Sequence, residues 1–161
     1  MIGPTIRRLP GLRTRGASIV EFALIAPILF FMLFAIIEVG LLFWVNLTMQ
    51  YAVREGARYA VTGQTNLDPD PTGQQRYRAV IRKIKESSMG LYEQVKPEII
   101  VNNFTYANAS QYNANMFGGP NDSVVLQLDC TWAILTPMVR PFFNNGEYRF
   151  KVAATMRNEA F

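Results

Sequence analysis

The hydrophobic pattern divides this chain into a long apolar head and an alternating tail. Residues 22–45 read FALIAPILFFMLFAIIEVGLLFWV, an almost unbroken apolar run. About 20 such residues cross a bilayer as a helix, so the run predicts a membrane span. A cleavable secretory signal would have a shorter core, roughly 7–15 residues, with a small-x-small site after it; neither is present. No cysteine follows the run as a lipoprotein anchor would require. Beyond it, Ala52, Gly56 and Ala60 recur every four residues, with Val53, Ala57 and Val61 beside them. That spacing predicts a continuing helix with a ridge of small residues, against which another element can approach the backbone closely. Gly63 is the expected stop. One helix over about 17–62 would be ~69 Å long at 1.5 Å per residue, its outer third a spine for an outer domain.

The tail changes period. Residues 64–73, QTNLDPDPTG, read as a loop. Residues 74–89 read as a helix with Tyr77, Val80, Ile81 and Ile84 on one face and its basic residues mostly elsewhere, ended by Gly90. Residues 98–106 are β-rich but mixed and read as a strand. Val124, Leu126, Leu128, Cys130, Trp132 and Ile134 alternate with polar or small residues, as do Tyr148, Phe150, Val152, Ala154 and Met156. Alternation of this kind marks half-buried strands. Residues 107–121, rich in Asn and Gly, read as a mobile loop. Residues 136–146 form a second loop whose Phe142-Phe143 pair should tuck over a sheet edge. The predicted fold is α+β: a long N-terminal transmembrane helix, one further helix and a small antiparallel sheet. The helix and its small ridge should cover the sheet's dry face.

Charge sharpens the division. Of 16 basic residues, Arg7, Arg8, Arg13 and Arg15 precede the span with no acid among residues 1–16. The net charge of +4 therefore belongs to this leader, and residues 17–161 balance to zero. Nucleic-acid binding would want a basic patch on the folded part. The positive-inside rule puts the N-terminus in the cytoplasm and residues from about 46 onward outside. The chain has no histidine and one cysteine, Cys130. A Ser-His triad, a thiolate zinc site and an intramolecular disulfide are thereby excluded. Asp68-x-Asp70 lacks the 12-residue calcium-loop pattern. No phosphate-binding glycine motif occurs, and the carboxylates have no spacing that pairs two of them. No catalytic, cofactor or metal residue is expected, and no small-molecule substrate.

Two positions interrupt the span and a third stands at its mouth. Pro27 should bend or locally open the helix. Glu38 is costly in lipid, about 2.5 kcal/mol or more at the centre of a span. It should either snorkel or stay protonated near the outer interface, or contact another membrane helix in an assembly. Glu21 sits at the mouth of the span, five residues after Gly16.

The segment Arg15-Gly16-Ala17-Ser18-Ile19-Val20-Glu21-Phe22-Ala23-Leu24-Ile25-Ala26-Pro27 resembles the opening of TadE-like proteins, pseudopilins of the bacterial Tad (Flp, tight-adherence) type IVb pilus system. Tyr51-Ala52-Val53-Arg54-Glu55-Gly56-Ala57-Arg58 resembles that family's stretch after the membrane helix, and Thr155-Met156-Arg157-Asn158-Glu159 its C-terminal end. The resemblance implies a pilin-like fold and cleavage between Gly16 and Ala17 by a prepilin peptidase. It implies three parts: a cleaved cytoplasmic leader (1–16), the N-terminal helix (17–62) and a periplasmic domain (63–161). Implied partners are the prepilin peptidase, other Tad subunits and minor pilins, the inner-membrane pilus platform and the bilayer. The protein would serve pilus assembly, tight adherence and biofilm growth from the inner membrane or within the extracellular pilus. Glu21 and Phe22 would then begin the assembly segment. Physics agrees: cleavage would give Ala17 an ammonium one helical turn from Glu21, and two charges costly apart in lipid become tolerable together. The competing reading is an uncleaved single-pass anchor carrying a periplasmic binding or sensing domain.

Overall fold

A computed structural model describes residues 17–161. Helix α1 runs over Ala17–Val61 and continues through Pro27 without a break in its helical assignment. At 1.5 Å per residue its 45 residues span ~68 Å. Helices α2 (Arg76–Ser87) and α3 (Leu91–Val95) follow, then strands β1 (Glu98–Val101), β2 (Phe104–Tyr106), β3 (Ser123–Ala133) and β4 (Glu147–Arg157). The strands form one antiparallel sheet in the order β2-β1-β3-β4. A long apolar helix packed on a four-stranded antiparallel sheet, with further helices beside it, is the α+β, pilin-like arrangement that the sequence predicts.

Alternation sets which face of the sheet is dry. In β3, Val124, Leu126, Leu128, Cys130 and Trp132 are buried while their neighbours point to the wetter face. The register pairs Leu128 with Val152 and Cys130 with Phe150 across to β4. The outer part of α1 joins this core through Val45, Met49, Ala52, Val53, Ala57 and Ala60. Val45 thus belongs to the domain core, although it closes the apolar run. Gln50 adds a polar tie from α1 to β4, its Nε2 donating to the Ala153 carbonyl at 2.9 Å. The small ridge also receives α2: a Cβ on Gly56 would overlap the Ile84 side chain.

Three expectations change. Residues 98–106 are a hairpin rather than one strand, because Asn102 and Asn103 take left-handed φ values of 49° and 67°. Asn tolerates that region, and two such residues make a tight turn whose twist matches the strands. The helix predicted over 74–89 ends at Ser87, and a separate short helix starts after Gly90. Residues 107–121 are pinned rather than loose. Met116 and Phe117 are buried, and Arg76 donates to the Phe117 and Gly118 carbonyls at 2.8 and 2.9 Å.

Candidate functional site

The feature that joins head to tail is Glu38. It lies inside the apolar run yet has no solvent exposure. Its Oε1 accepts the Leu135 N–H at 3.1 Å. Its Oε2 accepts the Thr136 N–H at 3.0 Å and the Thr136 hydroxyl at 2.6 Å. These donors sit just past the end of β3, 97 and 98 residues along the chain. Three hydrogen bonds to one carboxylate offset much of the cost of burying it. The sequence offered Glu38 lipid or a second helix; the structure gives it a partner within the same chain. The sequence contains a cue to it, an apolar loop opened by Thr136-Pro137, but nothing that sets the distance.

From this anchor the β3–β4 loop descends along α1 toward its N-terminal half. Phe142 lies beside Phe31, ring centroids 5.9 Å apart. Phe143 turns instead to Tyr148, at 6.4 Å. The pair expected to tuck over a sheet edge therefore splits, one ring toward α1 and one toward β4. Arg140 closes the loop from within, its Nε and Nη2 donating to the Ile134 carbonyl at 3.3 and 3.0 Å.

Below this contact α1 is bare. The helix from Ser18 to Val61 is long and apolar enough to cross a membrane, and only 11% of its most apolar stretch is buried. Ile19, Phe22, Leu24 and Ile28 are all exposed, as is Glu21. A soluble core helix would bury such a surface; an apolar patch of this extent marks a membrane or another macromolecule. Ala17 begins the helix, while Gly16 and the basic leader lie outside the described residues. Ala52 and Ala60 are fully buried on the opposite end, and Gly56 between them lodges Ile84.

Chemistry of other kinds is sparse. Cys130 is a free thiol in the core, pushed up to about 12 by burial and then by the neighbouring Asp129. Asp68 and Asp70 hold a cation supplied by the chain, Arg78, whose Nε lies 2.9 Å from Asp68 Oδ2. Among the described residues no three His, Cys, Asp or Glu side chains gather where a metal would need them. The C-terminal stretch is structural as well. Asn158 is buried and donates to the Phe117 and Gly119 carbonyls at 2.9 and 2.8 Å, and Glu159 N–H reaches the Val61 carbonyl at the end of α1.

The bare helix, with Pro27 inside it, and the Ala/Arg stretch beyond Tyr51 coincide with a match to the family model for TadE-like protein, which covers residues 16–58. The chain is TadE-like over this segment. No curated protein and no solved structure matches the chain. The TadE-like segment contains Gly16, Glu21, Glu38 and Gly56, and it ends within α1. The sheet that Glu38 engages lies outside the match. Within the matched segment, therefore, one carboxylate is committed to the domain at residues 135–136, while Glu21 is left on the exposed part of α1.

Proposed function

We propose that this protein is a pseudopilin, a minor subunit of a Tad (Flp, type IVb) pilus. It is anchored by α1 in the bacterial inner membrane with the N-terminus cytoplasmic and residues 63–161 periplasmic. A prepilin peptidase cleaves between Gly16 and Ala17, and the mature subunit joins other pilus subunits on the inner-membrane platform or in the fibre. Its role is structural, in pilus assembly, tight adherence and biofilm growth.

The observation that carries the reading is the bare N-terminal half of α1, with Glu21 and Phe22 exposed on it, inside the segment that matches the TadE-like family. A single span in a bilayer buries such a helix, and so does a bundle of like helices in a fibre. Pairing of Glu21 with an N-terminal ammonium suits both settings, because each charge offsets the other's desolvation. Small residues at Ala52, Gly56 and Ala60 are spent inside the subunit, so assembly falls to the earlier part of the helix.

The deciding experiment is intact-mass measurement of the protein purified from cells that hold the cognate peptidase. A mature chain starting at Ala17, with Gly16→Leu retaining all 16 leader residues, is the expected result. A wild-type chain that keeps its leader would favour the uncleaved single-pass anchor instead. Complementation then tests assembly. Glu21→Ala should insert and fold, since it removes a charge from lipid, but should lose piliation and co-purification with other subunits. Losing one partner of a buried pair costs about 3 kcal/mol or more, roughly a hundredfold in incorporation. Normal piliation at wild-type protein level would remove Glu21 from this role.

A further inference from the structure

We propose that the β3–β4 loop is a second membrane contact. Leu135, Met138 and Phe142 would enter the outer leaflet of the bilayer beside α1, with Glu38 at the level of the membrane boundary. The inference rests on α1 being a membrane anchor.

Position is the first argument. Val45 is 1% exposed and Leu42 packs against the same core, so one face of the outer end of the apolar run belongs to the domain, while Phe43 and Trp44 stay exposed on the other. A stretch of α1 that can meet lipid on every side must then lie lower. From Ser18 to Glu38 a helix rises ~30 Å, one hydrocarbon thickness. Glu38 falls at its outer edge, and Phe31, which Phe142 touches, lies ~10 Å below. Interfacial elements reach about 5–10 Å into a bilayer.

Surface composition is the second. Leu135 is 58% exposed, Met138 46% and Phe142 73%, on a loop whose neighbour is the bare helix. The apolar surface of α1 is therefore continuous with that of the loop. Trp44, exposed on α1 just above Glu38, sits where aromatic residues anchor at headgroup level. Arg140, exposed in the same loop, can offer its remaining donors to phosphate.

The third argument is the backbone. Irregular chain enters lipid only when its polar groups are satisfied. Leu135 and Thr136 give their N–H groups to Glu38. Val139 and Arg140 give theirs to the Thr136 carbonyl, and Phe142 and Phe143 close the next turn. Pro137 and Pro141 have none to satisfy. Glu38 is then the clamp that holds against the helix an apolar loop whose N–H groups, Met138 excepted, are bonded from Leu135 to Phe143.

The test uses the full chain in phosphatidylethanolamine–phosphatidylglycerol vesicles. In a Cys130→Ala background, Phe142→Cys is labelled with an environment-sensitive dye, and Gln64→Cys beyond the far end of α1 serves as control. Retention after a carbonate wash is scored first; loss there ends the anchor reading itself. In retained protein, the dye at position 142 should be blue-shifted and quenched several-fold more than at position 64. Lipids spin-labelled near the headgroup should quench it more than lipids labelled at the chain end. Equal quenching at the two positions would overturn the proposal. So would shielding at 142 that ignores spin-labelled lipid and fades on dilution in the membrane, which would show a second copy covering the loop. Glu38→Gln, which leaves one oxygen and adds donors where donors already converge, should reduce quenching at 142 without releasing the protein from the vesicle.

Discussion

Ile84 of α2 occupies the place of the side chain that Gly56 of α1 lacks: the Cδ1 of Ile84 would lie 2.9 Å from a Cβ on Gly56, and its Cγ1 closer still. Glycine within a helix costs roughly 0.5–1 kcal/mol relative to alanine, so the helix gives up that much for the fit. The missing methyl at Gly56 lets Ile84 of α2 come against the backbone of α1.

Gly56→Ala should therefore destabilise, despite the better helix former. Overpacking a core costs about 1–3 kcal/mol, and Ile84 has no exposed space to retreat into. Adding Ile84→Val should recover part of the loss. Thermal unfolding in detergent checks both; a Gly56→Ala chain more stable than wild type would show that α2 yields freely.

Glu38→Ala distinguishes a lipid-facing carboxylate from a clamp. If Glu38 faced lipid, its removal would ease burial of the helix. With the geometry seen here, removal orphans the Leu135 and Thr136 N–H groups and the Thr136 hydroxyl, at about 1–3 kcal/mol for each buried donor. Hydrogen exchange of the 135 and 136 amides should speed up strongly while exchange in the middle of β3 changes little. Unchanged protection at both amides would deny the clamp.

Cys130 should be slow to react. Burial pushes its thiol up to about 12, with Asp129 adding to the effect, and a thiolate is the reactive form. A thiol reagent should label the native domain slowly and the denatured chain quickly. The sign for stability follows: the contribution is whole below about pH 8.5, the ordinary thiol value, and is lost as the pH rises toward the folded value. Fast native labelling at neutral pH, or a dimer linked through Cys130, would contradict a buried structural role.

Asp68 should make the loop between α1 and α2 sensitive to acid. Desolvation alone would raise its carboxyl, but hydrogen bonds from the Asp70 and Gln75 N–H groups and from Arg78 outweigh that and hold it below the ordinary range. A depressed carboxyl stabilises the fold above its unfolded value and loses that contribution as pH falls through the folded one. Thermal stability should thus drop below about pH 4, and Asp68→Asn should be less stable at neutral pH with a weaker acid dependence. Parallel acid curves for wild type and variant would reject this.

The alternating residues of β3 and β4 determine their strands and which face is dry, because a period of two admits one buried face. The apolar run and the ridge at Ala52, Gly56 and Ala60 determine one long helix, because local propensity and spacing act within a few turns. The Asn102-Asn103 turn was also local, and its two-residue Asn pair is a signal that the mixed composition of 98–106 hides. What the tertiary structure alone decided is where the polar exceptions go. Glu38 is an expensive residue in a hydrophobic helix, and the sequence states its cost without naming its creditor. Leu135 and Thr136 reach it only because β3 runs antiparallel to its neighbours and ends beside α1, a relation across nearly a hundred residues that no local period encodes. The same closure draws Val45 into the core and carries Phe142 to Phe31. Packing across distant segments, rather than hydropathy along one, therefore decides how much of the apolar run remains exposed.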